Sequence, residues 1–282
     1  MKVVLSAAIA ATFLGSGKSL PFNISGVFSW GLSGLVIVAL FGIWEATVRL
    51  VNVAFWLLPP PSAIFGELYS SRGLLWNHTL VTLAEVLLGF AVAFGSGVLL
   101  AVGIAFSRLI EKSLYPFVIA SQTIPIIAIA PLLLIWVGYG ITPKIIVVAL
   151  IAFFPIVVNM VDGLKAVDLD MVNMMRTFGA SRWQIFTKLQ VPTSLPYLFS
   201  GIKIAGAVSV IGAVIGEWVG ASQGLGYLMT RSIPQFQTDR VFAAIFILTF
   251  MGVALFTLIT MAERITVPWH HSEKRRRVMS GG

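Results

Sequence analysis

Cysteine is absent from the 282-residue chain, which excludes disulfides, thiol catalysis and zinc-thiolate centres outright. Charge is also scarce: Asp, Glu, Lys and Arg together make up 11% of the residues, against about 25% in a soluble domain. The neighbouring histidines His270 and His271 diverge on a helix, so they are not the i, i+4 pair that a metal site wants. The acids Glu45, Glu67, Glu85, Glu111, Asp162, Glu217, Asp239 and Glu263 are scattered, with no paired-carboxylate or Ser/His/Asp pattern among them. An enzyme has no constellation here to stand on. "GSGKS", Gly15 to Ser19, imitates the tail of a phosphate-binding loop, but Thr12 occupies the place of the first glycine and no buried strand follows.

What remains is apolar. Hydrophobic residues make up 58% of the chain and the mean hydropathy is +0.96, values that imply an all-α integral membrane protein. About 20 apolar residues cross a ~30 Å hydrocarbon core. Segments 27–50, 79–106, 114–137, 144–164, 196–219 and 241–262 qualify as spans. Gly95, Gly97 and Gly103 within the second suit close helix packing in lipid. Pro125 and Pro131 are expected to kink the third. "LLPPPSAIFGEL" reads as extended chain followed by a short interfacial helix, and "GASQGLGYLMTRSIPQFQTDR" as a loop plus a short helix outside.

The formal charge of +8 is explained by where it falls. With the N-terminus inside, the cytoplasmic face receives Lys2, Lys18, Arg108, Lys112, Lys165, Arg176, Arg182, Lys188, Arg264 and the run from Lys274 to Arg277. The outside receives only Arg49, Arg72, Lys144, Arg231 and Arg240. This bias predicts both termini in the cytoplasm: a lead-in over 1–26 and a basic tail over 265–282 with weak attraction to anionic lipid. The opening "MKVVLSAAIAATFLGSG" has the pattern of a secretory signal, and the same count argues against its cleavage. No folded soluble domain is left to present a basic face to nucleic acid.

Ionisable groups within spans are costly and face a cavity or a partner. Glu85 and Glu217 are the candidates, each able either to line a pathway or to hydrogen-bond between helices. Lys203 can snorkel to the inner surface or pair with Asp162 on the neighbouring helix.

Between the fourth and fifth spans lies a cytoplasmic loop over 165–195, too long for a bare turn and too polar for lipid. Leu169, Val172, Met175 and Phe178 recur at helical spacing, as do Ile185, Phe186 and Leu189 beyond Gly179, so the pattern predicts two amphipathic helices. Gly179 suits positive φ, Ser181 can cap the second helix, and Pro192 with Pro196 is expected to stop it before the fifth span. Such a pair either docks a partner protein or lies on lipid.

This loop resembles the EAA loop of permease subunits of ATP-binding-cassette importers, whose core has the form E-A-A-x-x-x-G. Gly179 matches the glycine and "VPTSLP" the ending, while Asn173, Met174 and Met175 stand where the pattern has an acid and two alanines. The likeness continues through "LLPPPSAIFGEL", "QTIPIIAIAPLLLIWVGYG", "AFFPIVVNMVDGL", "RTFGASRWQIF", "GEWVGASQGLGY" and "FQTDRVFAAI". Together these look like the nitrate/sulfonate/taurine branch. "GYGITPK" and "FQTDRVFAA" are similar to permeases for thiamine-pyrimidine-precursor and riboflavin uptake.

The resemblance implies a type I ABC importer permease fold, with a permease core over 75–264, in a prokaryotic inner membrane. It implies a homodimer, two ATPase subunits and an extracytoplasmic solute-binding protein. ATP and magnesium would sit on the ATPase, and no cofactor on this chain. Asn173, Arg176, Thr177, Phe178, Gly179, Ala180, Ser181, Arg182 and Trp183 would form the ATPase-coupling element. Gln122, Asn159 and Glu217 are candidates to line the solute path. An ion-coupled carrier is the alternative; it would normally need internal repeats and broken helices.

Overall fold

A computed structural model describes the backbone of residues 24–269 and the side chains from residue 34 onward. The "GSGKS" stretch, the lead-in through residue 23, His270, His271 and the run from Lys274 to Arg277 lie outside the described residues. The chain divides into two units, one ending at Val53 and the other beginning at Ala54. The first contains α1 (Ile24–Leu50, 27 residues), whose Glu45 and Arg49 pair one turn apart at 2.6 Å.

The regular secondary structure of the second unit is all helical among its described residues. It contains α2 (Pro61–Ser70), α3 (Arg72–Phe106), α4 (Arg108–Ser121), α5 (Ile126–Val137), α6 (Thr142–Lys165), α7 (Leu169–Thr177), α8 (Arg182–Ile185), α9 (Val191–Trp218), α10 (Leu225–Ser232) and α11 (Thr238–Thr266). Among the described residues, four helical stretches are long and apolar enough to cross a membrane: α3, α6, Arg182–Trp218 and α11. The α4 and α5 pair makes a fifth if counted as one broken span.

That pair covers the expected third span. Over 114–137 the bend expected at Pro125 is present and is a full break: the chain turns through 104° between α4 and α5. Pro125 is the residue before α5, extended at φ −68° and ψ 107°. Its ring disfavours helical backbone at Ile124, and its missing N–H removes a ladder bond. Pro131 by contrast lies inside α5 without ending it.

A correction concerns the fifth span. Pro192 and Pro196 do not stop the preceding helix: α8 runs through a π-turn, Phe186–Gln190, directly into α9. Val191 N–H reaches back to Phe186 O across that turn. The ladder widens by one residue just before Pro192, which has no N–H to donate in any register and stands in the first turn of α9.

The core lies where α6 packs between α3 and α9, around Ala93, Ala101, Ala152, Ile156, Val157, Val161, Ile202 and Ala205. Small residues set these contacts. A Cβ at Gly89 would strike Val148, one at Gly97 would sit 3.0 Å from Ile156 Cγ2, and one at Gly212 3.0 Å from Val148 Cα. Where lipid is as apolar as leucine, such close approach supplies the packing attraction between helices. Gly95, expected to do the same, faces open space.

Lys203 pairs with Glu263 of α11 at 2.5 Å, not with Asp162. Three residues along the same face, Gly206 lies against Ile259 and Leu255 of α11, so this side of α9 belongs to α11.

Candidate functional site

The polar segment between α6 and α9 is built from local chemistry. Asp168 caps α7 by accepting the Asp170 N–H at 2.8 Å. At the other end Gly179 takes φ +77°. Its N–H donates to Arg176 O at 2.9 Å, and that of Ala180 to Met175 O at 3.0 Å. This is a Schellman closure, in which one left-handed residue satisfies two helix-end carbonyls. Two residues later Ser181 opens α8 with a reciprocal capping box: Gln184 N–H donates to Ser181 Oγ at 3.3 Å, and Ser181 N–H to Gln184 Oε1 at 2.7 Å.

The two short helices enclose a small core of Val167, Val172 and Ile185, with Met175, Ala180 and Leu189 against it. Aromatic packing fastens this element to α3, since Phe106 lies 4.6 Å from the Phe186 ring and 6.0 Å from that of Trp183. Leu169 and Phe178, expected on the inner face, are exposed instead. Phe178 is the last residue before the glycine, where the chain has already left the helical path, and it projects at 83% exposure. Asn173, Arg176, Thr177, Gly179, Ser181, Arg182 and Trp183 are exposed as well, and Ala180 is half-buried. Beneath the element a cavity of about 870 Å³ is lined by Arg108, Lys165, Arg176 and Arg182 among others. Lys165 closes on Glu111 there at 2.6 Å.

A second polar assembly lies at the opposite ends of the same helices. Glu85, Thr82 and Glu217 are 0%, 0% and 1% exposed. Lys144 Nζ meets Glu85 Oε1 at 2.6 Å. Thr82 Oγ1 donates to Glu217 Oε1 at 2.6 Å, and the backbone N–H groups of Gly226 and Tyr227 donate to Glu217 Oε2. Leu225 N–H donates to Thr82 Oγ1 and Gly224 N–H to His78 Nδ1, both at 2.9 Å. The beginning of α10 is thereby bound to α3 and α9. Gly224, at φ +118°, lies so close to the Glu217 carboxyl that any Cβ would overlap it.

Nearby, α2 is tied to α11: Arg240 Nε meets Glu67 Oε1 at 2.7 Å, and Ser71 Oγ donates to the same oxygen at 2.7 Å. Burial alone would raise the Glu67 carboxyl, but donors from Ser71, Arg240 and Ser70 outweigh it and hold the group below its ordinary value.

A family model described as "Binding-protein-dependent transport system inner membrane component" matches residues 93–268. The chain belongs to that family. Its relatives include the formylaminopyrimidine transport permease protein ThiX of Halalkalibacterium halodurans, 38% identical over 239 residues that cover 85% of this chain and 96% of the relative. The riboflavin transport system permease protein RibX of Chloroflexus aurantiacus is 36% identical over 249 residues, covering 87% and 93%. Among solved structures, an inward-facing form of the MetNI methionine ABC transporter shares the fold, with a TM-score of 0.59 at 21% identity over 71% of this chain and 97% of that one. The protein is therefore an ABC importer permease subunit, a multi-pass component of the inner membrane.

In this permease the candidate pathway residues stand on, or at the end of, three different elements. Gln122 is exposed at the α4–α5 break, and the half-buried Asn159 donates Nδ2 to Pro155 O at 2.8 Å. Glu217 is wholly engaged in hydrogen bonds between helices, one of the two roles its sequence position left open. Lys144, Thr82 and His78 join it without having been singled out in the sequence. Lys144 reads there as a loop charge at the start of a span, and the other two carry no spacing signal.

Proposed function

We propose that the element from Asn173 to Trp183 is the docking surface for a separate ATPase subunit, and that this permease works as a homodimer with two such ATPases and an extracytoplasmic binding protein. The carrying observation is a rigid element with an uncovered tip. A Schellman closure and a capping box hold Phe178, Arg176 and Arg182 outward, while Phe106 and Phe186 anchor the base to α3 and α9. Because α8 is continuous with α9 through the π-turn, a push on the tip moves a spanning helix as a unit. In this reading the α7 end faces the cytoplasm and the α10 end the exterior, as the Lys/Arg bias expects.

The solute is a small polar molecule handed over by the binding protein, with a thiamine pyrimidine precursor or a riboflavin-like compound first and taurine, sulfonates, nitrate or bicarbonate next. The support is the identity to ThiX and RibX. Co-purification with the cognate ATPase tests the docking surface: Arg176→Glu should release the ATPase and abolish ATP-dependent uptake. Full retention and full uptake in that variant refute the assignment. A ligand screen on the cognate binding protein decides the solute.

A further inference from the structure

The assembly of Glu85, Lys144 and Glu217 has an imbalance that its hydrogen bonds expose. Glu217 accepts from Thr82, Gly226 and Tyr227, so both of its oxygens are met by donors. Glu85 accepts from Lys144 through Oε1, yet its Oε2 is buried with no donor among the described residues. Geometry brings the two acids to one place: Thr82, one turn before Glu85 on α3, is bonded to Glu217, and Lys144, bonded to Glu85, packs against Gly216, the residue before Glu217. The facing groups are His78 and Thr82 on α3, Lys144 on α6, Glu217 on α9 and the N–H groups at the start of α10. Only one of them, Lys144, is a fixed cation. Two ionised carboxylates against one ammonium would leave a net negative charge and a contact between like charges, all buried.

We propose that one proton is held between Glu85 and Glu217, making with Lys144 an electrically neutral triad that clamps α10 to the spanning helices. With the proton on Glu85 Oε2, that oxygen becomes a donor toward the Glu217 carboxylate, and the orphan acceptor disappears. Glu217 then stays an ionised acceptor for the start of α10. What the clamp holds in place is a wall: cavities of about 380 and 420 Å³ open beside α10, the first bounded by Tyr227 and Arg231, and both by His78 and Gln223.

The arrangement makes the two acids unequal. Glu85→Gln reproduces the protonated group, since its carbonyl accepts from Lys144 and its NH2 donates to Glu217. Glu217→Gln fits less well, because its NH2 must turn either on the α10 N–H groups, which are donors, or on Thr82, whose hydroxyl would then have to give up its bond to residue 217 and donate to His78 O instead. We expect Glu85→Gln to transport at about the wild-type rate, and Glu217→Gln and Glu85→Leu each to lose roughly tenfold or more. Amide hydrogen exchange at Leu225 to Tyr227 should rise by a similar factor in those two variants alone. In the purified permease, infrared difference spectra should show a protonated-carboxyl C=O stretch that is present in the wild type and missing from Glu85→Gln. This readout needs no ATPase and no solute, so it stands or falls apart from the importer reading. A wild type without that band, or a Glu85→Gln as damaged as Glu85→Leu, overturns the shared proton.

Discussion

Gly179 offers a clean measure of how far the coupling element depends on one backbone torsion. It has φ +77°, and a Cβ added there meets nothing within 4 Å. Alanine therefore costs only the left-handed backbone, about 1–2 kcal/mol for an L residue. That is a factor of about 5–30 in the population of the closed turn. Asparagine adopts this conformation more readily and should lose less. Proline, locked near φ −65°, cannot adopt it at all, and it also removes the N–H that bonds to Arg176 O at 2.9 Å. Hydrogen exchange at the Ala180 amide, bonded to Met175 O at 3.0 Å, reads the turn directly, and ATPase retention reads its use. The expected order of protection and retention is Gly, Asn, Ala, Pro, with Ala exchanging about 5–30 times faster than Gly. Alanine indistinguishable from glycine, or asparagine as damaging as proline, would refute the reasoning. Gly224 is the internal comparison: there a Cβ runs into the Glu217 carboxyl, so alanine should be far more harmful than at Gly179.

Ser181→Ala removes the acceptor of the Gln184 N–H and should cost about 1 kcal/mol, seen as faster exchange of that amide, while Ser181→Asp keeps the acceptor and most of the protection. Lys203→Met leaves Glu263, whose side chain is 6% exposed, without its cation at a cost of about 3–5 kcal/mol. Melting in detergent should show that loss, and Lys203→Met/Glu263→Leu should recover most of it; a single variant no less stable than the double would rule out a buried pair. The Glu67 carboxyl is held below its ordinary value of 4.5, so its bond to Arg240 contributes full stability above that value and loses it as pH falls through the lowered folded value. The melting difference between wild type and Arg240→Ala should accordingly stay constant from neutral pH to about pH 5 and shrink only in stronger acid; a difference that shrinks between pH 7 and 6 contradicts it.

Local chemistry was legible. The break at Gly179 and the cap at Ser181 involve partners no more than five residues apart, so residue type and spacing sufficed to place them. Proline was legible only in part, because its effect depends on what the neighbouring backbone does: Pro125 stands at a break just before α5 starts, whereas Pro192 lies in the first turn of α9, directly after a π-turn. The buried triad was legible only as two acids able to hydrogen-bond between helices; their partners were not, since Lys144 lies 59 residues from Glu85 and Glu217 lies 135 from Thr82, and nothing in the spacing of a single chain reports such pairings. The structure shows what information was missing. Glu85 faces Lys144, Gly89 faces Val148 and Gly97 faces Ile156, so α3 and α6 run parallel at one constant offset of 59 residues. The glycines set that stagger by admitting the β-branched side chains of α6, and Glu85 and Lys144 each lie one turn before such a contact, on the same helix faces. The glycines alone do not give that offset, because Val147, Val148, Ile151 and Ile156 on α6 are all β-branched and the sequence does not say which of them faces Gly89. A test follows for the packing itself: Gly89→Leu, which must move α3 away from Val148, should also lengthen the Glu85–Lys144 contact and free the start of α10, detectable as faster exchange at Gly226. Protection there equal to wild type would mean that the polar assembly holds its register independently of the glycine contact.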